Sequence, residues 1–339
     1  MIMQAAVFGA PFDIRMEDRA RPSPGPGEAL VRVDAAGLCA GDLYIYLGKN
    51  PYVSFPRVGG HEIAGHVEAL GPDTAGPALG SRVVVEPFLG CGHCYPCRIG
   101  KANCCANLKI IGAHQDGGFA DYVIAPVGKL FAIPDGMSAY TASFTEPVAI
   151  GVQSCRRGQV SAGESVLILG AGPIGLALVE VANAIGARTY ITDVLPERLE
   201  TAAHLGATPI APGEGFLDDV MRITNGEGMP VVIEATGNAG VMEKTVDYVA
   251  AGGRIVIVGL VKKGTGVTFP GLDFTRKEMT IVGSRASTAC FPESLDLLAS
   301  GKIHYPDIGS QFPLAEAPAV FAKLADQPGA LHKAVFLTP

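Results

Sequence analysis

The segment SVLILGAGPIGLALVEVANAIGA, residues 165–187, constrains the fold more than any other part of the chain. Ser165–Leu169 is short and apolar, as a buried strand must be. Gly170, Gly172 and Gly175 follow as G-x-G-x-x-G, with Pro173 and Ile174 between the second and third glycines. Ile174, Leu178, Val181 and Ile185 then recur at helical spacing on one face. Strand, glycine turn and helix together predict a dinucleotide-binding unit. The first glycine makes the turn, the second lets a pyrophosphate approach, and the third packs helix on strand. The helix N-terminus supplies amides and partial positive charge. A second strand, Thr189–Thr192, ends at Asp193, where a carboxylate can hold ribose hydroxyls and repel a 2′-phosphate; NAD is therefore expected over NADP. Further strands at Val231–Ala235 and Arg254–Val258, with a helix over 241–249 between them, predict an α/β, doubly wound parallel sheet.

A second feature is CGHCYPCRIGKANCC, residues 91–105, which holds five of the eight cysteines. Cys91, Cys94 and Cys97 are each separated by two residues, and Cys105 lies eight positions after Cys97. Backbone turns can aim these thiolates at one point, and four thiolates close a tetrahedron suited to a structural Zn²⁺. An iron–sulfur run usually carries Pro after its last Cys, whereas Ala106 stands here. Cys104 is then a spare thiol and His93 a bystander. Upstream, GLCAGD (37–42) and GGHEIAGHV (59–67) offer Cys39, His61 and Glu62. A strand end or bend would be needed to bring the adjacent His and Glu to one metal.

Composition narrows the partners. The formal charge is -7, with no Lys/Arg run to condense on a phosphate backbone. The cysteine loop carries only Arg98, Lys101 and Lys109 nearby, so a zinc-ribbon binding protein or other nucleic-acid partner is disfavoured. A zinc-free reductase would leave Cys39, His61 and Glu62 without a shared task. The first residues lack a basic leader followed by an apolar core, and the longest apolar run, near 170–186, carries Glu180 and Asn183. No membrane partner and a reducing, cytoplasmic location are the expectation, which also disfavours a disulfide knot.

Taken in order, the Cys39 region, GHE, the four-cysteine lobe and GAGPIG resemble the zinc-dependent medium-chain dehydrogenases. TEPVAI (145–150) resembles the polyol and sugar-acid branch, which includes sorbitol, threonine and L-galactonate or L-gulonate 5-dehydrogenases. IGAHQDGGFADYV (111–123) and VGSRAST (282–288) look most like hexonate 5-dehydrogenases. The resemblance implies a GroES-like β-barrel catalytic domain over 1–148 with a zinc lobe at about 88–108, a Rossmann NAD domain over 149–284, and a return to the catalytic domain over 285–339. It implies two zinc ions per chain: Cys91, Cys94, Cys97 and Cys105 on the structural one, Cys39, His61 and Glu62 on the catalytic one. Glu146 becomes either a fourth ligand or the partner of a water there. Gly170, Gly172, Pro173, Ile174, Gly175, Asp193 and Arg198 would line NAD, flanked by Ala235, Thr236 and Gly237, by Val258, Gly259 and Leu260, and by Gly283, Ser284 and Arg285.

The implied reaction is hydride transfer to NAD from a secondary alcohol of a sugar acid, a hexonate oxidised at C5. A neutral polyol is the alternative substrate. Tyr46, Lys49, His114, Gln115 and Arg285 are the candidate contacts for this small polyhydroxylated molecule, and a homodimer or homotetramer is expected. One departure matters. The branch usually reads Cys-Gly-Ser/Thr-Asp-x-His, but this chain reads Cys39-Ala40-Gly41-Asp42-Leu43-Tyr44. The hydroxyl expected at position 41 is missing, so the proton relay should pass through Glu146 rather than Tyr44, because a free Tyr titrates near 10, too high for a good base near neutral pH.

Overall fold

The structure is a computed structural model that describes residues 1–50, 53–327 and 329–339. The chain divides into two compact units. One comprises Met1–Glu146, Phe291–Ala299 and Pro306–Pro339; the other comprises Pro147–Cys290 and Ser300–Tyr305. Among the described residues no helix is long and apolar enough to cross a membrane.

The second unit is a six-stranded parallel sheet. Its strands run Thr208–Pro209, Arg188–Thr192, Ser165–Leu169, Met229–Glu234, Val249–Ile257 and Thr280–Gly283 across the sheet. This is the doubly wound order, in which the chain starts in the middle and reverses direction between the third and fourth strands listed. Leu167 and Leu169 pack with Val232, Ile255 and Phe216 on one face, while Val166 and Ile168 are equally buried on the other. A sheet covered on both faces needs such unbroken apolar strands. Gly170 turns the chain at φ +103°, and its N–H reaches Thr192 O. At Gly175 a Cβ would stand 1.9 Å from Gly170 O, so only glycine lets the helix Pro173–Ile185 sit this close to the turn. The helix ends on Gly186 at φ +94°, a left-handed cap. It differs from the one-faced helix expected: residues 175–182 are all buried, Glu180 included. The Glu180 carboxylate accepts the N–H groups of His304 and Tyr305, which is why a charge is tolerated there.

The first unit is built on the strand Glu28–Leu38. Along one edge it pairs antiparallel with Glu62–Leu70, and along the other with Tyr122–Pro126 and then Lys333–Leu337. The register sets Gly37 opposite both Glu62 and Val335, and Leu38 opposite Ala334. Three distant segments therefore end together, just where Cys39 follows. The core beneath is aromatic, with Phe8 and Phe336 each meeting a neighbouring ring edge-on at 5.2 Å between centroids.

Gly175→Ala is expected to destabilise the second unit by roughly 1–3 kcal/mol, since backbone must move to admit the methyl group. Urea denaturation checks this; an unchanged midpoint would mean the turn can yield without cost.

Candidate active site

Cys39 lies in extended backbone immediately before the helix Ala40–Tyr46. Asp42, one turn in, organises its surroundings. One carboxylate oxygen accepts the Cys39 N–H at 3.0 Å; the other accepts the Gly60 N–H at 3.1 Å and lies 3.6 Å from His61 Nδ1. Asp42 is fully buried. The bend the sequence required is made at Gly60, φ +87°, where a side chain would strike Phe119. His61 then precedes the strand that Glu62 opens.

One ligand atom from each of Cys39, His61 and Glu62 falls within 4.8 Å of the others. Glu62 is 1% exposed; Oε1 accepts a hydrogen bond from Lys333 Nζ, while Oε2 is buried with no hydrogen-bond partner. An orphaned carboxylate oxygen beside a thiol and an imidazole is an N, S, O donor set that fits Zn²⁺. Burial disfavours a charged His61, but Asp42 and Cys39 outweigh it and hold the imidazole pKa well above its ordinary value. The group is thus arranged to hold positive charge at this point.

Glu146 is buried as well, in the first turn of the helix Thr145–Arg157. It is not part of the three-residue group. Burial pushes its carboxyl up to about 7, with His61 opposing and Glu62 reinforcing the shift. Position 41 faces the group: a Cβ there would stand 3.8 Å from His61 Cε1 and 3.9 Å from Cys39 Sγ. Tyr44 is 54% exposed. Sequence reasoning missed Asp42 and Lys333. Asp42 had a signal, an acid three residues after a helix-starting residue. Lys333 had only a faint one, a lysine opening the apolar strand KAVFL.

The lobe brings Cys91, Cys94, Cys97 and Cys105 equally close together. Cys94 Sγ is 3.5 Å from Cys97 Sγ and 3.7 Å from Cys105 Sγ. Backbone N–H groups of Cys91 and Asn107 point at Cys105 Sγ, and amides of Cys97 and Ala106 bring the Cys94 thiol down to about 6. At Cys94 the amides favour the thiolate, the form a metal needs, whereas burial and the neighbouring thiols push the Cys97 thiol up to about 12. Cys104 is exposed and outside the group, and the His93 ring bonds to Cys91 O.

In the second unit a cavity of about 620 Å³ is lined by Gly170, Gly172, Asp193, Arg198, Ala235 and Thr236, among others. No atom stands within 4 Å of where a Gly172 Cβ would be, so the space a pyrophosphate needs is open. Asp193 accepts the N–H groups of Ala171 at 2.8 Å and Leu195 at 3.0 Å, and Arg198 lies 3.6 Å away. Val258, Gly259, Leu260, Gly283, Ser284 and Arg285 do not line this cavity. Gly237 and Leu260 do touch, since a Cβ on Gly237 would be 2.7 Å from Leu260 O. The Ser284 hydroxyl is 3.0 Å from that of Ser154.

The substrate candidates have different surroundings. Tyr46 is 7% exposed, with its ring against Phe12 and Phe321, so its placement is in the core and not at a binding surface. His114 is exposed and its Nδ1 accepts the Ile110 N–H. Gln115 lines a separate, smaller cavity of about 180 Å³ with Arg19 and Tyr122. Lys49 and Arg285 are exposed.

Cys97→Ser should cost one zinc per chain and lower Tm, because structural metal binding is coupled to folding. Cys104→Ser should change neither. Elemental analysis with a thermal melt checks both, and retention of two zincs by Cys97→Ser would remove that residue from the metal site.

Comparison with known proteins identifies the family. The family model for the alcohol dehydrogenase GroES-like domain matches residues 25–135, and the zinc-binding dehydrogenase model matches residues 173–300. The chain is 35% identical over 330 residues to a zinc-type alcohol dehydrogenase-like protein of Haemophilus influenzae, covering 96% of each. It is 37% identical over 304 residues to the L-galactonate-5-dehydrogenase of Escherichia coli K12, covering 89% of this chain and 88% of that one. The rspB alcohol dehydrogenase structure from Escherichia coli CFT073, complexed with NADH, superposes with a TM-score of 0.92 at 31% identity and 99% coverage of both chains. The chain belongs to the zinc-dependent alcohol dehydrogenases of the medium-chain dehydrogenase family, oxidoreductases that act on CH–OH groups.

Proposed function

We propose that this chain oxidises a secondary alcohol of a polyhydroxylated small molecule with NAD as hydride acceptor, and that the preferred substrate is a hexonate oxidised at C5. The observation that carries the chemistry is the buried Oε2 of Glu62, an acceptor with no protein partner beside Cys39 and His61. When bound there, zinc supplies Lewis acidity that eases loss of the alcohol proton, and NAD supplies the nicotinamide that takes the hydride.

The chain's own residues have separable tasks. Cys39, His61 and Glu62 hold the metal, with Asp42 fixing the backbone of Cys39 and Gly60 and facing the His61 ring. Glu146 takes the alcohol proton. It is a base and not a permanent ligand, because it stands outside the three-residue group while remaining close enough to feel the charges of His61 and Glu62. With no hydroxyl at Gly41, the relay common in relatives has no counterpart here. Asp193 binds the adenosine ribose hydroxyls, its two oxygens already oriented by the Ala171 and Leu195 amides.

The hexonate reading draws on the 37% identity to L-galactonate-5-dehydrogenase. A neutral polyol is the second reading, favoured by one observation: the buried cation near the metal group, Lys333, is committed to Glu62. A carboxylate entering a closed site must be paired, so a hexonate would need Arg285 or Lys49. An NAD-reduction screen over aldonates and polyols decides between them. Arg285→Ala should then cost more kcat/KM with an aldonate than with a polyol of equal length.

Glu146→Gln should lower kcat by roughly 10²-fold or more, with zinc content unchanged, while Tyr44→Phe stays near wild type. A near-normal kcat in the Gln variant would sink the Glu146 relay. Asp193→Ser should raise the NADP/NAD ratio of kcat/KM; a wild-type preference for NADP would contradict the role given to Asp193.

A further inference from the structure

Lys333 is 3% exposed, and its ammonium is buried against a carboxylate from a residue 271 positions away in sequence. Such a pair is weak evidence for stability, because desolvating both charges offsets most of their attraction. What the pair does alter is which carboxylate oxygen is free. Oε1 of Glu62 receives the Lys333 proton; Oε2 receives none. Gly37 bounds the carboxylate on the other side, since a Cβ there would lie 1.9 Å from Oε2 and 3.0 Å from the carboxyl carbon. The carboxylate therefore has one oxygen committed to Lys333 and one, packed over Gly37, with no protein hydrogen-bond partner.

We propose that Lys333 is a positioning residue that makes Glu62 a one-oxygen metal ligand, keeping coordination room at the metal for the substrate. The proposal rests on the reading of Cys39, His61 and Glu62 as the catalytic zinc site. The identity of the cation follows from the geometry. An ammonium is a compact charge that satisfies one oxygen, whereas a guanidinium fork matches both oxygens of a carboxylate at once. Lysine leaves Oε2 to the metal; arginine would compete for it. With no cation, both oxygens would turn to the metal, which would raise its coordination number above four and crowd the position the substrate needs.

The test uses the full-length protein with its lobe zinc in place and Co²⁺ in the second site, whose visible absorption weakens as coordination number rises above four. Lys333→Met should still bind two metals per chain, show weaker Co²⁺ absorption and lose kcat, with Kd for NADH unchanged. Lys333→Arg keeps the ion pair, and with it the fold, yet should lose affinity for the second metal by roughly tenfold or more in chelator competition, as changes behind a metal ligand commonly do. Wild-type absorption and kcat in Lys333→Met would overturn the proposal. So would wild-type metal affinity and absorption in Lys333→Arg. Loss of the second metal from both variants would mean that Lys333 merely supports the fold, which also overturns it. Failure of the underlying reading looks different: Cys39→Ser in an otherwise wild-type chain would then leave the Co²⁺ spectrum and the metal count untouched.

Discussion

The constraint on which the first unit's chemistry depends is the absence of a side chain at Gly37. The strand Glu28–Leu38 runs between the strand that starts at Glu62 and the one that starts at Lys333, and Gly37 is the rung they share. Glu62 folds its carboxylate over that rung. Any Cβ at Gly37 would push the carboxylate off its path, separating it from Lys333 and from the Cys39–His61 side together. Backbone pairing alone would bring the three segments into line. Only the vacant position at Gly37 lets a buried acid lie flat between them.

The second unit solves a different problem with similar means. Its sheet reverses direction between the strands Ser165–Leu169 and Met229–Glu234, and the loops at their carboxyl ends carry Gly170–Gly172 and Ala235–Gly237. Glu234 ends the second of these strands fully buried, and one of its oxygens accepts the N–H groups of Thr236 at 2.7 Å and Gly237 at 3.0 Å and the Thr236 hydroxyl. The turn is thereby held open beside the cavity. Asp193 does the same for the first loop through the Ala171 N–H. In both places a carboxylate oxygen at or just after a strand end accepts backbone N–H groups that would otherwise be unpaired.

What was legible in the sequence was what is local. The glycine turn, the helix behind it and the four-cysteine lobe each occupy a stretch short enough for spacing alone to dictate geometry. Cys39 and His61–Glu62 were legible as ligand types, and the bend at Gly60 supplied the piece that periodicity could not. Lys333 was not legible, because its meaning arises only from a register with residues some three hundred positions earlier. Tyr46 was misread for a related reason. A polar tip suggests a binding surface, but the ring of Tyr46 is one of the aromatic edges of the core. The helix Pro173–Ile185 looked one-faced from the spacing of Ile174, Leu178, Val181 and Ile185; the Glu180 carboxylate turned out to be the anchor for His304 and Tyr305.

The two cysteine-bearing groups also differ in when they can exist. The four thiols of the lobe all lie within residues 91–105, so they have left the ribosome long before Lys333 is made. The other group needs Cys39 and Glu62 held to a strand whose far neighbour, with Lys333, is made hundreds of residues later. During synthesis the nascent chain therefore fills its lobe first and its chemistry last. A molecule that had filled its lobe but not its second group would be folded but inert, and supplying the ion afterwards would activate it without new translation.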